Sequence, residues 1–243
     1  MIKFIGLISL VTLVASLVTF ITGFGLSTIM TTVLVFFIPL NVIIVLIAPI
    51  HWAHSLWRVV LYPTFINWRI TLIFGLPAML ASYLGASLVH NASQGLFSNL
   101  VGILLICYSI VLWVKPSFRL NASNSMLVVM GFLTGFSAGI FGIRGAIRAS
   151  ALSAYDMKKE SYIATTGMIS IFVDTIRMFT YWLSGALEFL DVSLRIGILV
   201  FILVSFLGAL AGRTIINHIP QYMFRVVVSV FIFLVGIKLL IWG

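Results

Sequence analysis

Residues 139–181 read GIFGIRGAIRASALSAYDMKKESYIATTGMISIFVDTIRMFTY, and the rest of the chain is read outward from them. Arg144, Arg148, Asp174 and Arg177 stand here among apolar neighbours. A charge at the centre of a bilayer costs roughly 2.5–3.5 kcal/mol on insertion scales, so it needs a partner or a task. For any one of these arginines, capping a helix end and snorkelling to the interface is a sufficient role. Taken together, the group points to a polar cavity that meets an anion. Gly139, Gly142 and Gly145 interrupt the stretch and predict a broken helix instead of a smooth span.

The surroundings are a hydrocarbon phase. Of 243 residues, 62% are hydrophobic and 8% charged, and the mean hydropathy is +1.25. That composition specifies an all-α, polytopic membrane protein. Lys3 followed by an apolar run to Phe20 resembles a signal peptide, but its length suits a span and no small-residue cleavage site follows, so it reads as a retained first helix. The single cysteine, Cys107, excludes an intrachain disulfide and reads as packing. A net charge of +9 would suggest nucleic acid in a soluble protein. Here it arises from loop arginines and lysines that hold the orientation, and no basic–aromatic surface exists to carry a nucleic acid.

Ten apolar elements follow in order: 3–22, 25–38, 40–62, 68–89, 94–114, 124–141, 144–155, 160–184, 191–213 and 220–242. Eight are long enough to cross a bilayer of about 30 Å at 1.5 Å per residue. The second and seventh are short, and each follows a glycine break, TGFG at 22–25 and FGIRG at 141–145. This order predicts two five-element repeats, 1–120 and 121–243. Gly23 aligns with Gly142, Arg58 with Arg177 and Tyr62 with Tyr181, all at an offset of 119. YLGA at 83–86 aligns with FLGA at 206–209 at an offset of 123. An odd number of crossings per repeat makes the halves inverted. With ten crossings, Arg69, Lys115, Arg119, Lys158, Lys159 and Arg213 gather on one face, with Arg58 and Arg225 near it. That face is then cytoplasmic by the positive-inside rule. Re-entrant second and seventh elements would change the parity and largely remove the bias. Asn91-Ala92-Ser93 and Asn121-Ala122-Ser123 match the glycosylation pattern but flank one span, so chance explains them better.

In the first half, VIIVLIAPIHWAHSLWRVVLY at 42–62 places His51, His54 and Arg58 at helical spacing with Ser55 beside them. Pro49 frees a backbone carbonyl for other partners. Structural hydrogen bonding between helices, a proton- or anion-handling site and a metal site are the three readings. Metal is the weakest, because no Cys, Asp or Glu in this half adds ligands apart from Cys107 and Arg58 opposes a cation. In the second half, Asp174 and Arg177 pair at i, i+3, and Thr165 and Thr166 lie upstream with hydroxyl donors. Gly23 and Gly25, like Gly142 and Gly145, precede short helices whose N-termini can meet an anion, and Arg144 adds a planar fork.

GFG at 23–25, the histidine-bearing helix, WRITLIFGLPAMLASYLGA at 68–86, FGIRGA at 141–146, YIATT at 162–166 and the D-x-x-R at 174–177 together resemble the TauE/SafE (TSUP) family of sulfite and organosulfonate exporters. The resemblance covers nearly the whole chain. It implies a multi-pass inner-membrane secondary transporter of small sulfur anions, with no cofactor, no resident metal and no catalytic residues. It points to Gly23, Gly25, His51, Arg144, Asp174 and Arg177 as substrate contacts. Two departures touch the site: Arg144 and Arg148 replace a turn that many members follow with proline, and His54-Ser55 and Arg58 stand where Asn-Asn and often Lys are expected.

The expected partners are a small anionic substrate and the lipid bilayer, with homo-oligomerisation left open. His51 and His54 are expected to bind substrate or carry a coupled proton, with Asp174 holding Arg177 until substrate arrives. The rival readings are a cation or metal transporter built on His51 and His54, an intramembrane enzyme and a membrane subunit of a larger complex. An enzyme is disfavoured because no nucleophile–base pair stands out.

Overall fold

The structure is a computed structural model. It describes residues 2–22, 25–89, 122–142, 144–152, 154–155 and 157–215, with isolated helical positions between 99 and 114 and between 230 and 241. The fifth and tenth elements therefore lie largely outside the described residues, as do Gly23, Lys115, Arg119 and Arg225.

The described residues form helices and no strands. In chain order the helices are α1 (Ile2–Thr22), α2 (Leu26–Leu34), α3 (Leu40–Leu61), α4 (Trp68–Val89), α5 (Asn124–Phe141), α6 (Gly145–Leu152), α7 (Lys159–Leu183) and α8 (Val192–Ile215). Single 3-10 turns, Pro63–Phe65 and Ala186–Phe189, follow α3 and α7. Among the described residues, four helices are long and apolar enough to cross a membrane, within 40–61, 68–88, 124–141 and 192–214.

Local chemistry sets the ends. Ser123 caps α5 by accepting from Met126 N at 3.1 Å, so the hydroxyl of the second glycosylation-like triplet has a structural partner. Gly142 ends α5 at φ 69°, in the left-handed region that glycine enters without steric cost. The chain turns there, and α6 runs only from Gly145 to Leu152. The second element is shorter than its apolar run implied: α2 stops at Leu34 and residues 35–38 turn before Pro39 caps α3. A residue ahead of proline is pushed out of the helical region, a boundary that hydropathy does not register.

Contacts along the helices fix their relative directions. Gly131, Gly135 and Gly139 on α5 meet Phe74, Ala78 and Ser82 on α4 in ascending order, so the two run parallel. A methyl placed on Gly135 would lie 1.8 Å from the Ala78 carbonyl oxygen, which only glycine permits. On α8, Gly208 meets Leu13 and Gly212 meets Leu17 and Phe20 of α1, again in ascending order. By contrast α3 and α7 run opposite ways: Arg58 meets Thr166, His51 meets Asp174 and Ile44 meets Arg177. Along α3 and α8 the pairs ascend together, Trp57 with Phe206 and Tyr62 with Arg213. Along α4 and α7 they do so too, Gly75 with Phe172 and Ser82 with Val173. Thus α1, α3 and α8 point one way and α4, α5 and α7 the other.

Polarity is arranged for a lipid solvent. Leu72, Leu76, Leu80, Leu84 and Leu88 form an exposed i, i+4 stripe along α4, and Leu199, Leu203, Leu207 and Leu210 do the same on α8. Two apolar clusters fill the interior. One is centred on Leu26, Met30, Ile43, Ile44 and Ile47. The other is centred on Phe74, Ala78, Leu152, Ile169 and Val173. Helix α7 contributes to both and α3 to the first, and the buried charges lie along these two helices.

Candidate functional site

The stripe Thr166, Ser170, Asp174 and Arg177 is spaced 4, 4 and 3 along α7, so it lies on one face of the helix. Every member is buried. That face meets α3 and the segment around the second break.

Asp174 is the centre. Both terminal nitrogens of Arg144 donate to its carboxylate, Nη1 to Oδ1 at 2.7 Å and Nη2 to Oδ2. This is the bidentate fork that guanidinium forms with a planar oxyanion edge. Arg177 Nη1 lies 3.3 Å from Oδ1, and His51 Nδ1 lies 2.9 Å from Oδ2. The i, i+3 pairing expected from sequence is present, but Arg144 holds the carboxylate more closely. Arg177 divides its donors: Nη2 reaches the Ile44 carbonyl at 3.1 Å and Nη1 the Ala138 carbonyl at 3.5 Å. Ile44 adjoins Val45, whose carbonyl loses its usual helical donor to Pro49. The Arg177 guanidinium also lies 5.6 Å from the Tyr181 ring centroid, and the Tyr181 hydroxyl donates to Gly139 O at 3.0 Å.

His51 Nδ1 faces three groups at once: Asp174, Arg144 Nη2 at 2.5 Å and Ser55 Oγ at 3.3 Å. It can donate to the carboxylate or accept from Arg144, not both, because an imidazole nitrogen carries either a proton or a lone pair. The state of Arg144 therefore sets the proton requirement of His51.

A second cluster lies two turns along α7. Arg58 Nη2 donates to Thr166 Oγ1, while Arg148 Nη1 donates to Ser170 Oγ and, at 3.2 Å, to the Thr166 carbonyl. Arg58 and Arg148 are 0% and 1% exposed. Arg148, one of the charges singled out in the sequence, is placed here without having been assigned a substrate contact, and Ser170 is an addition. Their signals as members of this site were spacing alone: Arg148 is four residues from Arg144, and Ser170 lies midway between Thr166 and Asp174.

Two expected residues are turned elsewhere. His54 is buried near Ser205 of α8, and neither of its ring nitrogens has a hydrogen-bond partner among the described residues, so it stands apart from the Asp174 cluster. Seven residues separate His51 from Arg58, nearly two full turns, so those two share the α7-facing stripe and His54 falls beside it. Thr165 Oγ1 accepts from Asn67 N at 2.9 Å and so joins the start of α4 to α7. Gly25, at φ 129°, opens α2, with its carbonyl accepting from Ile29 N at 2.7 Å. Gly23 lies outside the described residues.

The electrostatic sum is lopsided. Arg58, Arg144, Arg148 and Arg177 are each at most 2% exposed, and Asp174 is the one buried carboxylate among the described residues. No group of three or more His, Cys, Asp or Glu side chains converges among the described residues to hold a metal ion. The arrangement is chemically suited to a small oxyanion.

A family model described as "Sulfite exporter TauE/SafE" matches residues 8–239. No curated protein matches the chain, and no solved structure does.

Proposed function

The chain belongs to the sulfite exporter TauE/SafE family, and from that premise we propose that it is a secondary transporter of small sulfur oxyanions or sulfonates in the inner membrane. The observation that carries this reading is the excess of buried guanidinium over buried carboxylate along α3, α6 and α7. Removing a cation from water costs several kcal/mol unless a counter-charge accompanies it. A transported anion supplies that charge, and Asp174 supplies it in part when no substrate is bound.

The steps follow from the geometry. A sulfite or sulfonate presents two oxygens in an edge like that of a carboxylate, so it competes with Asp174 for the Arg144 fork. Once Arg144 turns to the substrate, Asp174 retains Arg177 and His51. Loss of one positive neighbour favours a proton on His51 Nδ1, which then donates to Asp174 Oδ2. Where Nε2 keeps its own proton, the ring becomes imidazolium, so binding the anion takes up one proton from water and the two move together.

The alternating-access frame in this reading is a pair of inverted repeats, 1–120 and 121–243, with eight full spans and two broken short helices. It is supported by the opposite directions of the helices that correspond, α1 with α5, α3 with α7 and α4 with α8. It is supported further by equivalent close approaches. A methyl on Gly85 would meet Phe136 O at 2.5 Å and one on Gly208 would meet Leu13 O at 2.6 Å. Gly208 lies 123 residues after Gly85 and Phe136 lies 123 after Leu13, so each contact pairs one residue from each half and the two exchange under the repeat. Such repeats put the substrate site at their interface near the midplane.

The test is a thermal-shift screen of purified protein against sulfite, sulfate, thiosulfate, taurine, sulfoacetate, small carboxylates and divalent metals. A ligand selective for the folded state raises the melting temperature by mass action. Stabilisation by a sulfur oxyanion or sulfonate that disappears in Arg144→Gln is the expected result. Stabilisation by a metal alone, lost in His51→Ala, would replace this reading with cation transport.

A further inference from the structure

Arg58 is the buried charge that the Asp174 cluster leaves unexplained. It is 0% exposed, its Nη2 donates to Thr166 Oγ1, and its Nε and Nη1 have no hydrogen-bond partner. No described carboxylate comes within ion-pair distance of it. Two unpaired guanidinium nitrogens in a buried setting are costly and call for an acceptor. Arg148 approaches the same turn of α7 from the other side, through the Thr166 carbonyl and Ser170 Oγ.

We propose that Arg58, Arg148, Thr166 and Ser170 form a second oxyanion station, which the transported anion occupies before it reaches Arg144. The proposal rests on the anion-transport reading above and adds a place to its path. The station differs in kind from the Asp174 cluster. There a tethered carboxylate already fills the arginine fork, so substrate must displace it. At Arg58 no carboxylate among the described residues stands in for the anion. Eight residues separate Thr166 from Asp174, about 12 Å along the helix. Thr166 lies towards the end of α7 that begins at Lys159, the end that also carries Lys158. That end carries Lys158 and Lys159 with Glu160 in the first turn, and a path from it meets Arg58 before Arg144. The ligand class is a compact oxyanion with several acceptor oxygens and no donor of its own, because the station offers guanidinium N–H groups. The Thr166 and Ser170 hydroxyls donate to carbonyls of their own helix and hold the two arginines as acceptors.

The experiment uses the full chain in detergent, melted with and without sodium sulfate or sodium sulfite at constant ionic strength. Without either anion, Arg58→Met should melt at or above the wild type, because an apolar side chain replaces an uncompensated buried cation. With either anion, its apparent affinity should be at least about tenfold weaker than wild type, the scale of a lost charge-assisted hydrogen bond. Thr166→Val keeps Arg58 and should weaken both anions in the same direction, which decides the matter if Arg58→Met does not fold. Arg144→Gln serves as the reference for the inner site. If Arg144→Gln loses the anion shift while Arg58→Met and Thr166→Val titrate as wild type, the second station is wrong and the transport reading stands. If Arg58→Met melts well below wild type without anion, Thr166→Val decides: wild-type anion titrations there make Arg58 a structural group and overturn the station. If wild type shows no shift with either anion, both proposals fall together.

Discussion

At Asp174 three cationic or proton-bearing groups compete for two oxygens, and that competition sets what single substitutions will do. Asp174→Asn leaves Arg144 and Arg177 buried without their carboxylate. Breaking a buried pair from one side costs about 3–5 kcal/mol. The variant should therefore melt far below wild type without anion and recover part of the difference when sulfate is added. The double variant Asp174→Asn/Arg144→Gln should be less destabilised than the sum of the two single changes, since each removes the other's liability. Additive losses would mean that the fork seen here contributes nothing to stability. His51 yields a pH prediction. If binding makes His51 an imidazolium, affinity for a small alkanesulfonate, whose own charge is constant near neutrality, rises as pH falls. Titrations of His51→Gln should show a flat profile. A wild-type affinity that is independent of pH would remove the coupled proton. The residues of this site were partly legible beforehand: charges in hydrocarbon announce themselves, so Arg144, Asp174, Arg177, Arg58 and His51 stood out. His54 stood out equally and faces α8, because i, i+3 spacing bounds a face without saying which neighbour it meets. Ser170 was invisible, since a serine among apolar residues carries no signal until an arginine is placed against it.

The helices themselves were read well where polar residues, glycine and proline punctuate them, α4 and α5 most of all. They were read less well where an apolar run continues through a turn, as at Val35–Ile38 after α2. Which helix lies against which was not legible, because a glycine every fourth residue marks a close approach and not its partner. Gly131, Gly135 and Gly139 pack on α4, and that approach is testable. Gly135→Ala drives a methyl into the Ala78 carbonyl, so α4 and α5 must separate. Overpacking of this kind costs about 1–3 kcal/mol or more. The expected outcome is a lower melting temperature and a broadened or aggregated peak in size-exclusion chromatography. Gly6→Ala is the matched control: a methyl there meets nothing within 4 Å, and the variant should melt as wild type or slightly higher. Equal behaviour of the two variants would contradict the packing of α4 on α5.

For the whole molecule the helix directions make a sidedness prediction. Asn67 meets Thr165, so the starts of α4 and α7 share an end, whereas Glu188 follows the far end of α7. In a Cys107→Ala background, cysteines at Arg69 and Lys158 should react with a membrane-impermeant thiol reagent from one side and a cysteine at Glu188 from the other. Labelling of all three from a single side would refute ten crossings and the inverted arrangement with it. Chain parity was the weakest part of the sequence reading, because it hung on two short elements; the directions of α1, α3, α4 and α7 bear on it without reference to charge. The central claim is that Arg144 exchanges Asp174 for a transported sulfur anion. Its most direct test is sulfite flux into proteoliposomes holding wild type, Arg144→Lys or Arg144→Gln at equal reconstitution. The account predicts saturable flux in wild type, flux reduced at least about tenfold in Arg144→Lys, whose ammonium cannot form the bidentate fork, and none above empty liposomes in Arg144→Gln. Wild-type flux in Arg144→Gln would contradict it.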